Sequence, residues 1–319
     1  MGLTNFPKGV TSFGMPIIGS GGHFTTGNVF FVHYTNGSDG NDGAGPTTPF
    51  KTLDWAIGKC TASQGDTIFL MEGHAETITT PVYFDVAGVT VIGLGSGDAR
   101  PTFTVNAAIN GFLVTGTSVL INNIKLVTGG SSTIATKLFA VTGAHGLCTF
   151  SNCHFQVAAG HKMYHLGYIL GAKGKMVTIK DCLFENLSTV TIAVNTTVQH
   201  TALLIRTGDV DVIGCRFIDM GAQKKNKWAQ CIMAGSIGTG EDLGNVNIQE
   251  CVFTCRGVAV TNRAAAVSPR TSIIRCQGIS TSSNTAVANI FLVTYANVID
   301  SYALGAVNKR AKMVPAATE

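Results

Sequence analysis

One short motif, apolar-x-apolar-x-x-Cys-x-Phe, recurs along the chain and constrains the fold more than any other feature of the sequence. It reads CTFSNCHF at 148–155, VTIKDCLF at 177–184, VDVIGCRF at 210–217 and VNIQECVF at 246–253. Two apolar residues at period two indicate a short strand with one buried face. The two residues before the cysteine let the chain turn a corner, and Cys-x-Phe then resumes the alternation.

The motif continues on both sides in degenerate forms. Its cysteine position is taken by Leu94, Ile124 and Cys276 and, at the C-terminal end, by Ala296. Steps between copies range from 20 to 36 residues, and such a variable period indicates a solenoid. Helical periodicity is almost absent within a copy. The sequence therefore predicts an all-β, right-handed parallel β-helix, in which each coil adds one strand to each of three sheets.

Stacked coils turn the repeated positions into interior columns, because parallel strands pair in register. The chain has nine cysteines and no CxxC pair, and this odd number favours reduced thiols. One thiol per rung supplies neither four zinc ligands nor a neighbouring base, so we interpret the cysteines as packing residues. The predicted core columns are Cys153, Cys182, Cys215 and Cys251, and Phe155, Phe184, Phe217 and Phe253.

Residues 28–80 differ from the repeat and precede the predicted body at 81–304. A strand from Val29 to Tyr34 leads into a Gly/Pro-rich loop. A segment with Leu53, Ala56, Ile57 and Cys60 at helical spacing follows, with Thr52 as its expected N-cap, and GDTIFLMEG reads as a strand. This order, with its TPF and GDTI elements, resembles the N-terminal start of pectate-lyase-like β-helix proteins. The resemblance implies that the helix caps the end of the solenoid.

The loop NGSDGNDG at 36–43 has the composition of a calcium site. An EF-hand-type loop starting at Asp39 would require glycine at Ala44 and glutamate at Phe50, so that motif is absent. Asn-Gly and Asp-Gly pairs are also typical of turns, where Asp and Asn side chains bond the local backbone. We therefore favour the turn, and predict no metal site and no cofactor.

Residues 1–27 lack periodicity but are rich in apolar side chains for a free terminus. Two interpretations stay open: this N-terminal arm packs along its own β-helix, or it becomes ordered on a partner. The opening GLTNFPKGVTSFGMP resembles the N-terminus of virion structural proteins of tailed bacteriophages, which precedes a β-helix body. The candidate partner-binding residues of the arm are Leu3, Phe6, Pro7, Val10, Phe13, Met15, Pro16 and Ile17.

The resemblance to virion proteins implies synthesis in the host cytoplasm and a place on the particle surface. It also implies contact with a major capsid protein or another virion protein, and a homotrimer. The longest steps of the repeat place the largest loops at 188–200 and 222–243, and the second contains a candidate surface contact at Trp228, Lys224 and Lys225. Residues 305–319 depart from the repeat and predict an exposed tail.

Catalytic constellations are weak in this sequence. Glycoside hydrolysis needs two carboxylates facing one groove. The densest acidic group is Asp181, Asp209, Asp211 and Glu250, and Gly214 interrupts it. We therefore predict no catalytic residues and no enzyme. A net charge of +4 without a basic stripe does not indicate nucleic-acid binding, and no segment has eighteen unbroken apolar residues, so no membrane contact is expected.

These observations favour a structural role as a capsid decoration or auxiliary protein anchored through its N-terminal arm. Tail spikes that resemble it combine a β-helix with a separate attachment domain and a long trimerisation domain, and this chain has little room for either. The alternative is a tail-spike or tail-fibre type of β-helix protein that binds or depolymerises polysaccharide, with a host surface glycan as its partner.

Overall fold

Three parallel sheets make up the body of the protein. The structure is a computed structural model, which describes part of the chain. The described residues are 11–12, 15–16, 25, 27–129, 135–143, 147–161, 163–170, 176–189, 201–220, 230–234, 244–255, 263–267, 271–280, 291–293, 297–304 and 310–312. Within them lie short strands, one α-helix and one 3-10 helix. None of the helices in these ranges has the length and apolar character needed to cross a membrane.

Sheet A is the first that the chain enters. Its strands are β3 (Val29–Val32), β4 (Thr67–Leu70), β7 (Thr90–Gly93), β10 (Leu120–Asn122), β13 (Cys148–Ser151), β16 (Met176–Lys180), β19 (Asp209–Ile213), β22 (Val246–Gln249), β25 (Thr271–Ile274) and β28 (Asn297–Ile299).

Sheet B follows sheet A in every coil. Its strands are β5 (Ala75–Ile78), β8 (Thr102–Val105), β11 (Lys125–Thr128), β14 (His154–Val157), β17 (Leu183–Asn186), β20 (Arg216–Asp219), β23 (Val252–Cys255), β26 (Gln277–Ser280), β29 (Tyr302–Leu304) and β30 (Arg310–Lys312).

Sheet C closes each coil. Its strands are β6 (Val82–Phe84), β9 (Asn110–Val114), β12 (Ala135–Thr142), β15 (Met163–Leu170), β18 (Thr201–Thr207), β21 (Gln230–Ala234), β24 (Arg263–Val267) and β27 (Phe291–Val293). The chain thus runs A to B to C and returns to A, which confirms the predicted parallel β-helix. The right-handed sense follows the rule for parallel crossovers.

The corner between sheets A and B is the most regular part of the molecule. From β10 to β29 it is two residues long in every coil. The first corner residue has positive φ in each coil, in the left-handed region that L-residues adopt at a cost. These corner residues are Asn123, Asn152, Asp181, Gly214, Glu250, Arg275 and Asp300. The second corner residue is the cysteine of the repeat or its equivalent.

The interior is filled by columns that run along the solenoid axis. Phe155, Phe184, Phe217 and Phe253 pair in register and are fully buried. Their ring centroids lie 4.7–5.0 Å apart, close to the rung spacing of a sheet. The Phe184 and Phe217 rings are nearly parallel, at 8°. Cys153, Cys182, Cys215 and Cys251 form the adjacent column and are at most 2% exposed.

Helix α1 (Leu53–Ile57) lies at the N-terminal end of the solenoid. It buries Leu53, Ala56 and Ile57, three of the four residues that helical spacing selects; the fourth, Cys60, lies beyond the end of the helix and is partly buried. Thr52 occupies the N-cap position, as predicted, but its hydroxyl makes no hydrogen bond that caps the helix. The 3-10 helix at Gly97–Ala99 lies in the connection between β7 and β8.

Three further predictions differ from the structure. The last copy of the repeat is misplaced: Phe291–Val293 belongs to sheet C, and the cysteine position is Ser301, not Ala296. The expected loop 222–243 contains strand β21, whose cysteine lies outside the motif. The tail is not wholly unpaired, because β30 adds an antiparallel strand to β29.

Strands β1 (Thr11–Ser12) and β2 (Met15–Pro16) form an antiparallel sheet of their own in the N-terminal arm. Their Cα partners are Thr11 with Pro16 and Ser12 with Met15. Where the arm joins the body, the Thr25 hydroxyl donates to the Gly65 carbonyl. The strands of the arm therefore do not extend any of the three solenoid sheets.

Candidate functional site

Asp39, in the glycine-rich loop, binds the chain segment that enters helix α1. Its Oδ1 accepts hydrogen bonds from the Lys51 and Thr52 backbone N–H groups at 2.9 and 3.0 Å. Its Oδ2 accepts the Thr52 hydroxyl at 3.0 Å, which explains why that hydroxyl does not cap the helix. Both carboxylate oxygens therefore have protein donors.

Asp42 and Asn41 fasten the same loop. Asp42 Oδ1 accepts the Thr48 hydroxyl at 2.6 Å and the Ala44 N–H at 3.1 Å, and these bonds lower the pKa of Asp42. Asn41 Nδ2 donates to the Pro49 carbonyl at 2.7 Å. The side chains bond local backbone, as expected of a turn. The described ranges contain no group of three or more His, Cys, Asp or Glu side chains placed to hold a metal ion.

Glu76 is a buried carboxylate behind helix α1. Its Oε2 accepts the Leu53 N–H at 3.2 Å and lies 3.1 Å from His74 Nε2. His74 Nδ1 accepts the Tyr34 N–H at 3.2 Å, which assigns the ring proton to Nε2 in neutral histidine. The helix end therefore depends on a glutamate 23 residues away, a contact that local cap patterns cannot predict.

The thiol column is internally bonded rather than reactive. The Cys215 Sγ lies 3.4 Å from both the Ile213 and Ile179 carbonyl oxygens, and other column thiols repeat this pattern. Burial raises the pKa of the Cys182 thiol. Ser301 continues the column, and its Oγ accepts the Cys276 N–H at 3.1 Å. Buried thiols held against backbone carbonyl oxygens in this way act as packing groups.

The outer face of sheet B carries a polar cluster that the sequence analysis did not single out. In β8, β11, β14 and β17, inward residues are buried and outward residues are half-buried. Thr102, Lys125, His154 and Leu183 pair across these strands in one outward column. The repeat contains a signal for this column, since Lys125, His154 and Leu183 each follow the cysteine position.

Two outward columns meet at Glu185. The Glu185 Oε2 lies 3.1 Å from His154 Nε2 and accepts the Gln156 amide at 2.5 Å. The pKa of His154 is lowered, chiefly by desolvation and then by the charge of Lys125; Glu185 opposes this shift and Arg100 adds to it. The cluster therefore combines two cations, a histidine and one carboxylate that is already bonded.

The outer face of sheet C presents aromatic side chains. Tyr83, Leu113, Ala140 and Tyr168 pair in register across successive strands. The Lys137 Nζ lies 4.2 Å from the centroid of the Tyr168 ring, and burial lowers the pKa of Lys137. Tyr83 is 46% exposed at the N-terminal end of this column.

The predicted contact residues fall mainly outside the part of the chain that the structure describes. Met15 and Pro16 form β2, but their side chains are not described. The residues outside the described ranges are Leu3, Phe6, Pro7, Val10, Phe13, Ile17, Lys224, Lys225 and Trp228. Their roles stay predictions.

Comparison with known proteins supports the fold. Neither a protein-family model nor a curated protein matches the chain. A pectate lyase structure superposes with a TM-score of 0.51 at 14% identity, covering 89% of this chain and 79% of that chain. This is a pectate-lyase-like fold. At such identity the similarity concerns the fold and not the activity.

Two other solved structures resemble the chain more loosely. A rhamnogalacturonan lyase has a TM-score of 0.47 and 14% identity, covering 80% of this chain and 69% of that chain. A protein of Geobacillus virus E2, ORF18, has a TM-score of 0.42 and 13% identity, covering 79% of this chain and 56% of that chain.

Proposed function

We propose that the protein is a structural component of a tailed-bacteriophage particle, a capsid decoration or auxiliary protein attached through its N-terminal arm. The observation that carries the proposal is that β1 and β2 pair with each other in a separate sheet, while the solenoid begins at β3. An arm that is not a strand of the body can bind another protein without disturbing the body. The resemblance of residues 1–16 to phage virion proteins gives the class of partner.

A non-enzymatic role agrees with how the described carboxylates are used. Asp39, Asp66 and Glu76 bind backbone N–H groups of the capping unit. Glu250 pairs with Arg275 at 2.5 Å, and Asp209 accepts the Asn245 N–H at 2.6 Å. These groups stabilise turns and corners, which is what a rigid spacer needs.

Arm deletion tests the proposal. Removing residues 1–24 keeps Thr25 and its bond to Gly65, so the body is expected to retain its melting temperature. Binding to capsids assembled without the protein is measured by co-sedimentation. We expect the deletion to abolish binding. A folded deletion variant that still binds as tightly as the intact protein would overturn the proposal.

A point variant controls for the size of the deletion. Phe6→Ser and Phe13→Ser together remove two apolar anchors and leave the arm length unchanged. We expect at least a tenfold loss of binding. We also propose a homotrimer, which sedimentation equilibrium of the intact protein checks directly.

Polysaccharide binding is the second candidate, and the outer face of sheet C is the observation that favours it. Tyr83 and Tyr168 lie three rungs apart in one outward column, about 14 Å at the usual rung spacing. Aromatic rings on a shallow face can stack on sugars. If this candidate is right, host capsular polysaccharide protects Tyr83 and Tyr168 from tyrosine nitration, and new reducing ends reveal any depolymerisation.

A further inference from the structure

Unpaired positive charge is concentrated on one side of the solenoid. Most described cationic side chains have a partner: Lys51, Lys59 and Lys137 lie over aromatic rings, and Lys180 and Arg275 pair with carboxylates. Among the cations whose side chains the structure describes, Arg100, Lys125 and Arg216 have neither kind of partner. Lys125 and Arg216 are outward residues of sheet B, and Arg100 lies two residues before β8 begins at Thr102.

Arg100 is the least satisfied of these cations. Its Nε is buried and has no hydrogen-bond acceptor. A buried donor without a partner loses its hydrogen bond to water and gains none in return, and such a group in a native structure calls for a physical explanation. Lys125 pairs with His154 on one side and with Thr102 on the other, and its backbone N–H donates to the carbonyl of Pro101, the residue after Arg100, at 2.8 Å. The three residues therefore belong to adjacent rungs of the solenoid. Like charges gathered without a counter-ion oppose folding unless an anion joins them.

The carboxylate already present does not fill this role. Glu185 accepts hydrogen bonds from Gln156 and lies against His154, on the side of His154 away from Lys125 in the strand order. The cluster therefore keeps an excess of positive charge at the end formed by Arg100 and Lys125. Charge complementarity points to an oxyanion as the missing member, since guanidinium and ammonium groups bind carboxylates strongly.

We propose that Arg100 and Lys125, beside His154, form a binding site for a carboxylate carried by an acidic segment of a partner protein. The outward residues that flank the site include Val127, Leu183 and Ile218, all half-buried and apolar. No Phe, Tyr or Trp side chain stands at the described outward positions of β8, β11, β14, β17, β20 and β23. A flat, partly apolar face with cations suits an extended acidic peptide better than a sugar chain, which needs stacking rings.

A nuclear magnetic resonance titration tests the site with hexaglutamate as the probe. The His154 ring signal, assigned with His154→Gln, is followed at pH 7 and low salt. A bound carboxylate favours imidazolium, so we expect a saturable shift and a higher His154 pKa in the complex. Affinity should fall as salt is added, because the contact is electrostatic and exposed.

Matched charge variants separate the site from general attraction. Arg100→Gln and Lys125→Gln should each weaken hexaglutamate binding at least tenfold. Lys180→Gln removes one positive charge from sheet A, where Lys180 neighbours Asp181 at 4.0 Å, and should leave binding unchanged. Equal loss in all three variants would overturn the site. The wild-type titration decides the question even if a variant does not fold.

Hexagalacturonate carries the same number of carboxylates on a sugar backbone. Comparing the two probes therefore distinguishes a peptide from a polysaccharide as the source of the bound carboxylate. Tighter binding of hexaglutamate supports a protein partner. Equal or tighter binding of hexagalacturonate overturns that assignment, and no saturable shift with either probe overturns the site itself. The measurement uses the isolated protein without any particle, so its failure is distinct from failure of the proposed virion role.

Discussion

Individual acidic side chains in this molecule act mainly as acceptors for backbone donors. Asp39 shows why composition misleads: its oxygens accept three hydrogen bonds from Lys51 and Thr52. A cation would have to displace those donors. The loop NGSDGNDG therefore connects the first strand to the capping helix through hydrogen bonds. These bonds join Asp39 to residues 12 and 13 positions further along the chain.

Removing the Asp39 carboxylate tests that role. We expect Asp39→Ala to lower the free energy of unfolding by about 1–3 kcal/mol, the usual cost of lost hydrogen bonds to a charged group. The melting temperature of the unaltered protein should not change when EDTA is added. A melting point that depends on the chelator would restore the calcium interpretation.

His154 predicts a pH dependence of stability. Its pKa in the folded protein lies below the ordinary 6.5, so between the two values the unfolded state binds more protons. Stability therefore rises with pH across this window and falls as pH is lowered through it. Urea unfolding at pH 7 and pH 5 should show a smaller acid loss for His154→Gln than for the wild type. Equal losses would contradict the prediction.

The sequence repeat predicts the positions of the strands in sheets A and B better than it predicts the connections between strands. The alternation in VTIKDCLF places Val177, Ile179 and Phe184 inside, so sequence alone predicts sheets A and B and the core columns between them. Sheet C is harder to predict, since its strands lack the cysteine signal. The sequence therefore predicts a loop where strand β21 lies, and it predicts a copy of the corner motif at Phe291–Val293, which belongs to sheet C.

The corner between sheets A and B predicts effects of different size at two equivalent positions. Gly214 has φ of 64°, and an added Cβ would lie 2.4 Å from Asp181 Oδ1. Gly214→Ala should therefore destabilise the protein by about 1–2 kcal/mol. Arg275 has φ of 50°. Arg275→Asn introduces a residue that suits this conformation better but loses the exposed ion pair with Glu250, so we expect it to change stability by less than about 1 kcal/mol. Chemical unfolding of both variants checks the contrast.

The thiol column predicts which substitutions its positions accept. Ser301 already occupies one rung, with its hydroxyl 3.1 Å from the Ile299 carbonyl oxygen. Cys215→Ser should therefore cost about 1 kcal/mol or less, whereas Cys215→Leu should cost about 1–3 kcal/mol through overpacking. Thermal melting ranks the two variants. A serine variant less stable than the leucine variant would show that the column depends on sulfur itself.

The candidate site could be predicted only in part. The outward residue of Cys-x-Phe is readable in each copy, so Lys125, His154 and Arg216 could have been placed in one column from the repeat. Arg100 could not, because it lies in a connection that contains a 3-10 helix rather than in a two-residue corner. Its closeness to His154 is a property of the folded coils.

The molecule as a whole must protect the strand edges at the two open ends of its three sheets. Helix α1 covers the first end. At the other end β30 pairs with β29 in the antiparallel sense, which interrupts the parallel template that an open edge would offer to another chain. Removing residues 305–319 should therefore increase aggregation at unchanged secondary-structure content. Light scattering and circular dichroism on the same sample check this, and a monodisperse truncated protein would contradict it.

The three edges of the solenoid differ in how much length variation they carry. Connections from B to C span 3 to 14 residues and those from C to A span 1 to 11, while the A-to-B corner keeps two residues from β10 onward. Insertions therefore occur on the B-to-C and C-to-A edges. The A-to-B edge forms a seam that has no long loop from β10 onward. A neighbouring molecule could lie along that seam without meeting a loop, and foreign peptides are best grafted on the other two edges.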